Sequence, residues 1–322
     1  MKRIVYLSIC LAVVIPLLFG NTADAEKTDK PLRKLPETAE ELGKLLFSEL
    51  MLSLDYTIAC DGCHHPELAF ADTVPFNTGV GGKFAARNTP SVMNLSGHSP
   101  FFYDGRAATL AEQALGPIAN PLEMALPIDS ALARLNRDPF YSKAFRKIYR
   151  SKATAKNLGA ALAAFEQTLN TNAPWDKFVR GDSSAVSASA LRGRTIFNVK
   201  AKCFECHKGV DFTTDEFKNI GLYNGKDLND RGRFDITKDS TDLGRFKTPG
   251  LRNVSVTGPY MHNGMFKTLR DVIDYYNEPQ RFVNGSINTD TLIQPLNLSE
   301  TEKNDLEAFL KTLTNEQFTN NR

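Results

Sequence analysis

The sequence predicts a mainly α-helical protein with little β structure, organised as two similar domains. Three observations carry this expectation. Apolar residues recur at helical rather than alternating spacing, helix-start signals precede the strongest runs, and one five-residue cysteine motif occurs once in each half of the chain. With 322 residues, 42% of them hydrophobic, the chain can bury a sizeable core and is not of disordered composition. Its formal net charge of +2 includes no long basic block, which removes any electrostatic case for nucleic-acid binding.

The elements follow in order. Lys2 and Arg3, the apolar run Ile4 to Phe19 and the triplet Ala23-Asp24-Ala25 form the three-part pattern of a secretory signal peptide, with cleavage expected after Ala25. A membrane anchor is the alternative, but the run is short, contains Pro16 and leads straight into the small-residue site. Ile9 is too bulky for Cys10 to mark a lipoprotein. A soluble, periplasmic protein with no anchor after cleavage is therefore expected. Glu40 to Leu50 carries Leu42, Leu45, Leu46 and Leu50 at helical spacing, and Lys156 to Leu169 is rich in alanine and leucine. Asn170 to Ser189 turns polar and small, with Pro174 and Gly181, and is the expected junction. Placing it near residue 178 gives domains 26–178 and 179–322, with Trp175 packing at their boundary. Thr268 reads as an N-cap for a helix that brings Leu269, Val272, Ile273 and Tyr276 to one side. Ser299 and Glu302 form a capping box before the apolar face Leu306, Phe309, Leu310 and Leu313.

Four cysteines follow the signal segment. They form Cys60-Asp61-Gly62-Cys63-His64 and Cys203-Phe204-Glu205-Cys206-His207. Two thiols one short turn apart can form thioethers to both vinyl groups of one porphyrin, and the next residue sets its imidazole beneath the iron. Each motif therefore implies one covalent haem c, with His64 and His207 as proximal ligands, and the chain reads as two c-type cytochrome domains. A zinc site shared by the two pairs, or thioredoxin-like redox pairs, would leave the histidine after each pair unexplained.

The chain also contains Leu42-Gly43-Lys44-Leu45-Leu46-Phe47, Arg87-Asn88-Thr89-Pro90, Phe102-Tyr103-Asp104-Gly105-Arg106-Ala107, Gly116-Pro117-Ile118 and Asn120-Pro121-Leu122-Glu123-Met124. Its second half adds Lys247-Thr248-Pro249, Leu251-Arg252-Asn253-Val254 and Thr257-Gly258-Pro259-Tyr260-Met261-His262-Asn263-Gly264. In this combination and order the mature chain resembles the bacterial dihaem cytochrome c peroxidase and MauG family. The resemblance implies that hydrogen peroxide reacts at the first haem and that the second passes or stores electrons.

The resemblance also implies site roles. Peroxidases that need reductive activation carry a blocking histidine seven residues before the arginine of the R-N-x-P motif, where this chain has Val80. A valine cannot ligate iron, so the first site is expected to be open, with His98 and His65 as the remaining candidates for a blocking ligand. At the position of the second haem's usual methionine ligand stands Tyr276, as in MauG. A hydrogen-bonded core tyrosine is the alternative, with Met261 or Met265 as fallback ligands. Phenolate ligation favours the oxidised iron, whereas thioether ligation raises the potential. Glu123 matches the distal carboxylate that moves a proton between peroxide oxygens, and Gln113 and Pro117 match distal-pocket residues. Tyr103 stands where the family usually has a tryptophan between the haems, a departure that couples electron loss there to proton loss. A calcium ion between the domains is implied at the Asn88 side chain and the Thr257 and Pro259 carbonyls.

Three functions remain in competition. One is MauG-like oxidation of a protein partner, a second is conventional peroxide reduction with electrons from a small cytochrome or cupredoxin, and the third is electron transfer alone. The third requires both irons to be six-coordinate, which Val80 opposes.

Overall fold

The computed structural model describes residues 33–319, so the expected signal peptide lies outside the described residues. From Leu35 onward the chain packs as one compact unit. Among the described residues twelve α-helices succeed one another: α1 (Ala39–Phe47), α2 (Leu110–Ala119), α3 (Ile128–Arg137), α4 (Pro139–Tyr149), α5 (Ala155–Glu166), α6 (Pro174–Val179), α7 (Ala188–Asn198), α8 (Phe234–Thr237), α9 (Leu269–Asn277), α10 (Pro279–Phe282), α11 (Glu300–Lys311) and α12 (Glu316–Thr319). Between α7 and α9 two short antiparallel strands, β1 (Phe217–Lys218) and β2 (Phe246–Lys247), pair Phe217 with Lys247 and Lys218 with Phe246. The mainly helical architecture agrees with the sequence. Among the described residues no helix is long and apolar enough to cross a membrane.

Local signals set the helix ends. The expected capping box forms at Ser299 with Glu302, the expected N-cap Thr268 forms a full box with Asp271, and two more boxes form at Thr109 and Thr154. α1 stops at Phe47 rather than Leu50, because Glu49 caps a new short turn and its side chain accepts from the Met51 N–H. α5 stops at Glu166 rather than Leu169, where the Thr168 hydroxyl donates to the Phe165 carbonyl at 2.7 Å. In the polar stretch after Asn170, α6 turns toward the second half: the Trp175 N–H donates to Thr312 O at 3.0 Å, and its ring meets Phe309 edge-on.

Two apolar cores repeat one arrangement. The first gathers Leu42, Leu46, Phe47, Leu158, Leu162 and Phe165, and the second Phe197, Phe212, Ile273, Leu306, Phe309 and Leu313. α1 crosses α5 where a Cβ on Gly43 would overlap the Ala161 carbonyl oxygen, and α7 crosses α11 where a Cβ on Gly193 would overlap that of Asp305. Beside each crossing the rings match as well. Phe47 meets Phe165 at 5.2 Å between centroids, and Phe197 meets Phe309 at 5.2 Å, while Phe70 lies 6.3 Å from Phe165 and Phe212 lies 6.1 Å from Phe309. Position 161 of α5 therefore corresponds to 305 of α11, and 166 to 310.

Only glycine lets these helix backbones touch. Gly43→Ala and Gly193→Ala are each expected to destabilise the haem-loaded protein by about 1–3 kcal/mol through overpacking, read as a lowered thermal unfolding midpoint.

Candidate haem sites

Each C-x-x-C-H segment is a single tight turn. The His64 N–H donates to Cys60 O and the His207 N–H to Cys203 O, both at 2.8 Å, which brings two sulfurs and an imidazole to one side of each turn. All four sulfurs are free of disulfides. Both turns line one cavity of about 1030 Å³ that runs between the two halves.

The imidazoles are held alike. His64 Nδ1 lies 3.1 Å from Phe70 O, and His207 Nδ1 lies 3.0 Å from Phe212 O. A carbonyl oxygen only accepts, so Nδ1 carries the proton and Nε2 keeps its lone pair for a metal. Burial holds both rings below the ordinary histidine range, in the neutral form that ligates iron. Burial also pushes the Cys63 thiol up to about 11 and the Cys203 thiol up to about 12, so sulfurs left free would stay protonated. Paired thiols, an oriented imidazole and an apolar cavity suit a covalently held haem at each turn. The two cysteine pairs do not converge on one point: among the described residues no cluster of three or more His, Cys, Asp or Glu side chains could hold a metal ion.

Over the first turn the cavity is lined by Gln113, Pro117, Asn120 and Glu123, with Tyr103 alongside. Gln113 and Pro117 stand one turn apart on α2, and the Pro117 carbonyl accepts from the Met124 N–H at 3.1 Å, folding the Glu123 loop back over the helix. Asn120 Nδ2 donates to Glu123 Oε1 at 2.9 Å. Burial raises the Glu123 carboxyl above the usual carboxylate range, against the pull of Arg106 and Asn120. The Val80 N–H donates to Glu123 O at 2.8 Å, so the position of the absent blocking histidine adjoins the distal loop. His98 has both ring nitrogens engaged, Nδ1 2.7 Å from Asp215 and Nε2 3.3 Å from Asp211. His65 stands 3.7 Å from Asp72 and 4.0 Å from Glu67.

Tyr276 lines the cavity beside Cys203, Cys206 and His207. Burial raises its phenol far above the ordinary range, with the fields of Tyr275, Cys203 and Cys206 adding to the effect. The neighbouring Tyr275 hydroxyl is hydrogen-bonded to Ile220 O, whereas the Tyr276 hydroxyl has no hydrogen-bond partner among the described residues. Met261 also lines the cavity, while the Met265 sulfur is 3.7 Å from Asn263 Nδ2.

Between the two turns, Arg87 joins the halves. It reaches Asp230 at 2.7 and 2.9 Å and Asp104 at 2.7 Å, with its guanidinium 5.5 Å from the centre of the Phe246 ring. Burial pushes the Tyr103 hydroxyl well above its ordinary range, partly opposed by the Arg87 charge. Asn88, Thr257 and Pro259 line the same cavity. Asn88 Nδ2 donates to Val74 O and Pro75 O at 3.1 and 3.3 Å, which turns its Oδ1 away from those carbonyls. Among the described residues neither Oδ1 nor the Thr257 and Pro259 carbonyls accept a hydrogen bond, leaving three hard oxygen donors available.

Sequence reasoning passed over Asp230, the Asp211–His98–Asp215 bridge and Glu166, none of which belongs to a local pattern.

Two haem-attachment turns, each with its imidazole oriented for iron, and a carboxylate-lined space above the first define a dihaem c-type cytochrome. The chain belongs to the dihaem cytochrome c peroxidase and MauG family. Residues 37–184 match the family described as di-haem cytochrome c peroxidase. The chain is 39% identical over 286 residues to the methylamine utilization protein MauG of Methylorubrum extorquens, a match covering 86% of this chain and 79% of that protein. It is 38% identical over 265 residues to the cytochrome c peroxidase Ccp of Escherichia coli, covering 78% and 56%. A solved structure described as a MauG-like protein associated with microbial copper homeostasis superposes with a TM-score of 0.80 at 31% identity, covering 88% of this chain and 91% of that one. The protein is therefore a dihaem oxidoreductase with two haem c groups.

The His98 bridge supplies a pH test. Hydrogen bonding to Asp211, with Asp215 adding its own bond and charge, raises His98 above its ordinary value. A raised folded-state value means that the bridge stabilises fully below the unfolded pKa of about 6.5 and loses that contribution as pH climbs through the folded value. Urea unfolding from about pH 6 to about pH 9 is expected to show this decline, and His98→Asn to flatten it.

Proposed function

We propose that this protein is a periplasmic peroxidase that reacts with hydrogen peroxide at the His64 haem and uses the resulting oxidising power, through the His207 haem, on a protein partner in the manner of MauG. The observation that carries this reading is the unpartnered Tyr276 hydroxyl in the second site. An anionic oxygen ligand suits a site that holds an oxidising equivalent, whereas a methionine suits one that relays electrons at high potential.

When bound, haem c supplies the iron that accepts peroxide and exchanges electrons. The residues around it do the rest. With haem bound, Glu123, held by Asn120 and raised in pKa by burial, would take a proton from peroxide and return it to the departing oxygen. Gln113 and Pro117 shape the space over the first site, and the valine at position 80 supplies no ligand to block it. Tyr103, beside Arg87, lies on the route between the sites, where burial disfavours its deprotonated form. Asn88 Oδ1 with the Thr257 and Pro259 carbonyls would hold calcium, tying the halves together near the Arg87 clamp. The division into 26–178 and 179–322 belongs to the same reading, with α6 as the segment that crosses.

Met261, which also faces the cavity, supports the second reading, a conventional peroxidase fed by a small cytochrome or cupredoxin.

Stoichiometric peroxide added to the fully oxidised protein without reductant is expected to react within the mixing time of a stopped-flow experiment. Glu123→Gln should slow that reaction by about 10²–10⁴-fold. A protein that stays inert until one haem is reduced would return the chain to the conventional class. Tyr276→Phe is expected to change the optical and spin-resonance signature of the second haem alone, and an unchanged signature would transfer the ligand role to Met261.

A further inference from the structure

The two halves match ring for ring around their helix crossings, and one matched pair differs in kind. On α11, Leu306 and Leu310 line the cavity one turn apart, and on α5 the corresponding residues are Leu162 and Glu166. Where the second site has a leucine, the first has a carboxyl that is 4% exposed. Its Oε2 has no hydrogen-bond partner, and the carboxyl makes no ion pair among the described residues. A buried carboxyl left without partners is costly, so its retention calls for an explanation.

Its surroundings indicate what it can sense. Glu166 lies near enough to Cys60, which attaches the first haem, for its charge to act on that sulfur. Its chain neighbour Phe165 packs against the rings of Phe47 and Phe70. Of the ionisable residues on the surrounding helices, Glu40, Glu41 and Lys44 on α1, Glu112 on α2, Asp129 and Arg137 on α3 and Lys156 on α5 are exposed, and the half-buried Arg134 of α3 donates to the Met51, Ser53 and Leu54 carbonyls. On the attachment turn, Asp61 also acts on Cys60. Burial alone governs the Glu166 carboxyl and pushes it up to about 8. In such a medium a unit of charge arriving at a neighbouring group is felt strongly.

We propose that Glu166 is a proton-coupling residue of the first haem: it binds a proton from solvent when that haem gains an electron and releases it when the electron leaves. The step balances as one electron onto iron from an outer-sphere donor and one proton onto a carboxylate oxygen, with one O–H bond formed. It lets the first site change oxidation state without leaving uncompensated charge in an apolar interior, and Leu310 denies the same device to the second site. The inference rests on the haem attachment and not on the peroxidase reading, so its test uses no peroxide.

The measurement is a spectroelectrochemical titration of the dihaem protein with mediator dyes, across the pH range around 8. In the wild type the potential of the first haem is expected to fall as pH rises. Glu166→Gln should flatten that dependence without moving the second haem, and Glu166→Leu, which copies Leu310, should do the same. Asp129→Asn, at an exposed position of α3, run in parallel, should leave the dependence in place. A slope unchanged in Glu166→Gln, or a flat wild-type profile, overturns the proposal. Should neither variant load haem, reduced-minus-oxidised infrared spectra of the wild type still decide: a protonated-carboxyl stretch must appear on reduction, and its absence counts against Glu166.

Discussion

The structure depends on an imidazole whose Nδ1 proton is committed to a backbone carbonyl. That bond, made by His64 to Phe70 and by His207 to Phe212, fixes the tautomer, aims Nε2 into the cavity and requires the chain after each attachment turn to fold back on itself. The same two phenylalanines place their rings against Phe165 and Phe309, so the ligand geometry and the apolar cores are built by the same residues. The glycine crossings at Gly43 and Gly193 then let the paired helices approach closely enough to back those rings. Orientation of the metal ligand and tight packing are one constraint, met twice.

On that shared frame the halves diverge in the few polar groups they admit. The cavity lining of the first half includes Glu123, Gln113, Pro117 and Glu166, and that of the second half Tyr276, Leu306 and Leu310. Each polar group faces a low-dielectric cavity, where its protonation state responds to nearby charge more than it would in water. The two halves differ in these side chains and not in their helix crossings.

Much of this was legible in the sequence, for identifiable reasons. Haem attachment is a local motif, and helices such as α9 and α11 declare themselves by capping boxes and periodicity. The inward placement of Tyr276 followed from its spacing to Leu269, Val272 and Ile273. What stayed hidden depends on distant partners. Glu166 reads as the polar end of an alanine-rich helix, and only its register against Leu310 reveals it. Arg87 belonged to a motif, but Asp230, 143 residues away, did not, so the clamp between halves required the folded chain. His98 read as a candidate blocking ligand until Asp211 and Asp215 closed around it.

The cavity that unites both attachment turns bears on how the protein is made. Its four sulfurs stand on facing walls of a single chamber, and Arg87 and Asp230 bolt those walls together. Attaching a porphyrin to both turns therefore couples the joining of those walls to the filling of the space between them.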